Sequence, residues 1–147
     1  MQGIYFFSEK AGFALPRPQA VRGWVQAVAE DAGRPIGCLN YIFCSDEQLL
    51  LLNRRYLQHD TLTDILTFPH EQQAPTLGAD IYISVERVQE NAQQLELPFL
   101  QELLRVMIHG VLHLLGQQDK TPAQQQDMRV SEERCLALDC FPFKQQA

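Results

Sequence analysis

The sequence predicts an α+β fold: a single domain over residues 1–147, with a small mixed β-sheet packed on a layer of helices around one central buried helix. Three observations carry this. Short β-prone runs and amphipathic helical runs follow one another as β-α-β-α-β-β-α-α-α. There is no internal repeat, low-complexity linker or composition break to divide the 147 residues. The run from Phe99 to Leu115 spreads apolar side chains around most of its circumference, so that helix is largely buried.

In chain order, Ile4 to Phe7 reads as an edge strand, and Pro16 and Pro18 mark a loop and a helix start. Val21, Trp24, Val25, Val28 and Ala29 recur at helical spacing, and Gly33 ends that helix. Ile36 to Cys44 is rich in β formers. Ser45 with Gln48 forms a capping box for a helix that turns Leu49, Leu50, Leu52 and Tyr56 inward. Arg54 and Arg55 stand near its C-terminus, where cations suit the helix dipole. The segment 58–64 is polar and turn-like, a hydrogen-bonding scaffold for a cleft wall. Ile65 to Phe68 is a strand stopped by Pro69, and residues 71–78 are a surface loop. Ala79 to Ile83 is an alternating strand, Ser84 caps a helix to about Leu95, and Pro98 opens the central helix. Thr121 and Pro122 start a last helix running to about Leu138.

Hydrophobic residues make up 46% of the chain, which argues against disorder. Charges or histidines interrupt every apolar run, so no membrane span is expected. The start lacks a basic region followed by a long apolar one, so it is not a secretory signal. Cys38, Cys44, Cys135 and Cys140 match no zinc-ribbon or redox spacing, and reduced thiols in a cytoplasmic protein are expected. The net charge of −6 weighs against nucleic-acid binding by the whole surface and leaves room for a local basic cleft.

The central helix carries the chemistry. His109 and His113 are four apart, about 40° around the helix and about 6 Å along it, so both rings leave one face. Polar rings on a buried helix need partners. Gly116 falls where a glycine of positive φ stops a helix, after which the chain can fold back and bring Asp119 to the rings. Two imidazoles and a carboxylate suit one zinc ion, with a fourth position open. The expected ligands are therefore His109, His113 and Asp119, on a metal-binding central helix. His70 is a weaker extra candidate. A zinc peptidase would place a glutamate after the first histidine, and this chain has Gly110 there.

Three segments together resemble one family: Leu52 to Pro69 (LNRRYLQHDTLTDILTFP), Leu77 to Ser84 (LGADIYIS) and His109 to Gly116 (HGVLHLLG). They look like the YbeY family of bacterial rRNA maturation factors, over roughly residues 35–140. The resemblance implies a metal-dependent endoribonuclease specific for single strands. It implies a role in ribosome assembly and small-subunit rRNA 3′-end processing, with rRNA and the small subunit as partners and no DNA or membrane. The family usually has a third histidine where Asp119 stands, and an arginine serving the RNA where Leu57 stands. Arg54, Arg55 and His59 are the nearby candidates for substrate contact. The resemblance does not name a general base. The rival expectation is a non-enzymatic assembly factor with a structural metal.

Overall fold

A computed structural model describes residues 3–57, 63–70 and 75–143. Among these the elements are β1 (Gly3–Ser8), α1 (Pro18–Asp31), β2 (Ile36–Cys44), α2 (Asp46–Leu57), β3 (Ile65–Pro69), β4 (Leu77–Ser84), α3 (Val85–Leu95), α4 (Phe99–Leu114) and α5 (Pro122–Leu136). Their kinds and order are those the periodicities predict.

The four strands form one mixed sheet in the order β1-β2-β4-β3. β1, β2 and β4 are parallel neighbours, and β3 closes the far edge antiparallel to β4. β1 is an edge strand, as its isolation at the start of the chain implies. The faces of the sheet are unequal. Leu39, Tyr41 and Phe43 of β2 and Ala79, Ile81 and Ile83 of β4 point into the main core, shared with α1, α3, α4 and α5. The period of two turns Cys44, Leu66, Phe68 and Tyr82 to the other face, where α2 covers a smaller cluster through Leu49 and Leu52.

α4 is the centre of the main core, with Leu103, Leu104, Met107, Ile108 and Val111 fully enclosed. The buried Tyr41 hydroxyl donates to the Met107 carbonyl at 3.0 Å, and Trp24 Nε1 donates to the Cys135 carbonyl at 2.9 Å. These bonds tie α4 to β2, and α1 to α5, and they pair the buried Tyr41 hydroxyl and Trp24 N–H.

Three expectations need correction. Tyr56 does not point inward: it is 59% exposed, and Asn53 is buried in its place. α2 meets only a narrow apolar strip, so its buried seam is Leu49 and Asn53, one turn apart, while Tyr56 packs its ring edge-on against Phe68. Leu77 and Gly78 are not loop. They extend β4 by pairing with Ile36 and Cys38, across a bulge that the intervening Gly37 accommodates. The last helix ends at Leu136, two residues early. All four cysteines are free. No helix among the described residues is long and apolar enough to cross a membrane.

Candidate metal centre

His109 and His113 leave one face of α4 with ring centroids 4.5 Å apart, edge to face. The helix then stops as the sequence predicts. Gly116 has φ +105°, its N–H reaches the His113 carbonyl, and the N–H of Gln117 reaches the Leu112 carbonyl, both at 3.0 Å. This pair of bonds is a Schellman stop, and it turns the chain back over the last helical turn. Asp119 arrives with Oδ2 3.3 Å from His109 Nε2 and 3.3 Å from His113 Nε2.

Those separations are the test of whether a metal fits. Donors about 2.1 Å from a tetrahedral zinc lie about 3.4 Å apart along a tetrahedron edge. One nitrogen from each ring and one carboxylate oxygen all lie within 4.8 Å of each other, and among the described residues this is the one such group of three. The donor set therefore fits a small divalent cation with a fourth position open.

The His109 ring is also oriented from behind. Glu132 on α5 accepts from His109 Nδ1 at 2.7 Å. With that proton committed to Glu132, Nε2 is the nitrogen that faces Asp119. Burial alone lowers the proton affinity of His109, but the Glu132 hydrogen bond and charge outweigh it and raise the ring above its ordinary value. Glu132 is in turn held by Arg105, which lies 3.3 Å from it, 2.6 Å from Glu133 and 3.4 Å from Glu102. The Glu102 contact is an ion pair without hydrogen-bond alignment. Burial pushes the Glu102 carboxyl up.

A cavity of about 300 Å³ opens beside the metal group, walled by His109, Asp119 and Glu132, with Asp64, Arg105 and Arg129. Asp64 stands just before β3 at the sheet edge. Burial pushes its carboxyl up, and the neighbouring His109 charge pulls it back only in part.

Gly110 faces the sheet. A Cβ there would meet Ile81 Cδ1 at 3.0 Å and Ile65 Cδ1 at 3.1 Å. The position after the first histidine is thus a packing contact between α4 and the sheet, with no room for a glutamate.

The other expected site residues lie elsewhere. Arg54 and Arg55 border a groove of about 680 Å³ with Cys44 and Tyr82. Cys44 and Tyr82 belong to the α2 face of the sheet, opposite the face on which α4 lies, so the structure does not bring these arginines to the metal group. His59 lies outside the described residues, as do Asp60 and Thr61. His70 is not brought to the metal group: its Nε2 contacts Asp80 at 3.0 Å, near the opposite end of β3 from Asp64. Sequence reasoning missed Glu132, Arg105 and Arg129. A signal for Glu132 existed, because it occupies the buried seam of α5 with Met128 and Cys135, where an apolar residue is normal.

Comparison with known proteins agrees with these motifs. The family model described as Endoribonuclease YbeY matches residues 14–138. A protein of Christiangramia forsetii called Endoribonuclease YbeY is 48% identical over 135 residues, covering 92% of this chain and 93% of the relative. One of the same name from Amoebophilus asiaticus is 46% identical over 129 residues, 88% of each chain. The solution structure of a Thermotoga maritima protein superposes with a TM-score of 0.61 at 26% identity, covering 90% of this chain and 89% of the other. The chain belongs to the endoribonuclease YbeY family.

Proposed function

We propose that the protein is a zinc-dependent endoribonuclease that cuts single-stranded RNA. Its place of action is the cytoplasm, in 3′-end maturation of small-subunit rRNA during ribosome assembly. Family membership supports the hydrolytic endoribonuclease activity. The observation that carries the metal reading is Asp119 Oδ2 standing 3.3 Å from Nε2 of both histidines, beside an open cavity. One zinc per chain on His109, His113 and Asp119 is the occupant whose ligand chemistry and spacing agree best with this group.

When bound, zinc supplies Lewis acidity and makes water acidic near neutral pH. The chain's own residues do the rest. His109 is locked by Glu132 with Nε2 turned to the metal position. Arg105 keeps Glu132 in place from its far side. Asp64 lies in the same cavity, outside the metal set, and its raised proton affinity suits it to take up the proton released as water attacks a phosphodiester.

A peptidase reading loses ground at Gly110, which offers no base and whose neighbours leave none a place. The test is cleavage of single-stranded RNA by protein of known zinc content. About one zinc per chain and cleavage lost in His113→Ala support the reading. Cleavage by His113→Ala at the wild-type rate would sink it.

A further inference from the structure

We infer that Arg129 holds a phosphate of the RNA strand at the metal centre. The inference deepens the endoribonuclease reading and rests on it.

The cavity beside His109 is strongly acidic: Asp64, Glu102, Asp119 and Glu132 all contribute to its wall. A phosphodiester entering it needs positive charge beyond a single dication. Two arginines line the cavity. Arg105 is 7% exposed and already surrounded by Glu102, Glu132 and Glu133. Arg129 is exposed, and it makes no hydrogen bond or ion pair among the described residues.

Its position follows from Glu132. Residues three apart on a helix share a face. Glu132 is fixed to His109 at 2.7 Å, so Arg129, one turn earlier on α5, is carried to the rim of the same cavity. A guanidinium there presents a planar fork of donors, which matches two phosphate oxygens at once. Arg54 and Arg55 cannot do this from the α2 face of the sheet. Such a contact grips the backbone and carries no base preference.

The experiment compares zinc-loaded wild type, Arg129→Ala and Arg129→Lys. Binding of a fluorescein-labelled 2′-O-methyl single-stranded oligonucleotide is followed by anisotropy across a salt series, with zinc content measured on each sample. Arg129→Ala is expected to weaken binding roughly tenfold, the loss of one charge-assisted contact. The slope of log affinity against log salt should fall by about 0.7. Zinc content should be unchanged, and Arg129→Lys should recover part of the affinity. On cleavable RNA, Arg129→Ala should raise KM more than it lowers kcat. Wild-type affinity and salt slope in Arg129→Ala would overturn the inference while leaving the nuclease reading intact. Loss of zinc in Arg129→Ala would overturn it too, since the residue would then be structural. Failure of wild type itself to bind the oligonucleotide would remove both.

Discussion

Glu132 Oε2 lies 2.7 Å from His109 Nδ1, and both groups are mostly enclosed between α4 and α5. The pair fixes which ring nitrogen faces the metal position and how the ring is turned. Replacing Glu132 with Ala should weaken zinc binding about 10- to 100-fold, the usual cost of losing a carboxylate behind a ligating histidine. Glu132→Gln retains an acceptor and should lose less. Competition with a chromophoric chelator measures both. Equal affinity in wild type and Glu132→Ala would remove Glu132 from the metal centre.

The same pair sets a pH dependence. In metal-free protein the raised proton affinity of His109 means the charged ring is favoured by folding. Its contribution is fully present below the ordinary value of 6.5 and is lost as pH rises through the higher folded-state value. Zinc must displace that proton, so zinc affinity should climb with pH through the same window. Melting curves of chelated protein and zinc titrations should therefore run in opposite directions with pH. Glu132→Gln, lacking the charge, should flatten the stability profile and move the zinc profile to lower pH.

Removing the metal should leave a folded protein. The main core runs through Trp24, Tyr41, Phe43, Ile81, Leu103 and Met107, none of which belongs to the candidate metal group. Chelation should lower the melting temperature and abolish RNA cleavage while the far-ultraviolet circular dichroism stays native. Collapse of that spectrum on chelation would favour a structural metal instead.

Asp64→Asn tests the proton acceptor. The substitution keeps size and polarity and removes the charge, so zinc content should hold while the rate of RNA cleavage falls by about 100-fold or more. Cleavage at the wild-type rate would exclude Asp64 from the chemistry.

Gly110 marks a close approach of α4 to the sheet. Gly110→Ala gains up to about 1 kcal/mol in helix propensity but crowds Ile81 and Ile65, a cost of about 1–3 kcal/mol, so a net loss near 1 kcal/mol is expected. Gly110→Glu should fail to fold or melt far lower, because it drives a carboxylate into that apolar contact, and it should gain no peptidase activity. Denaturant unfolding and a casein assay check the two.

The sequence by itself determined the element order, the buried central helix and the meeting of His109, His113 and Asp119, a group that could hold a metal. Each of these is a local pattern. A period of 3.6 or 2 places side chains on a face, two histidines four apart share a helix turn, and Gly116 supplies the positive φ that returns Asp119. The tertiary structure alone decided what surrounds the triad. Glu132 reaches His109 across 23 positions because α5 packs against α4. Arg129 travels with it, Asp64 arrives from the edge of the sheet, and Arg54 and Arg55 fall on the opposite face because α2 crosses to the other side. Spacing along the chain fixes which groups share a turn, whereas which turns meet depends on how the whole apolar surface is buried.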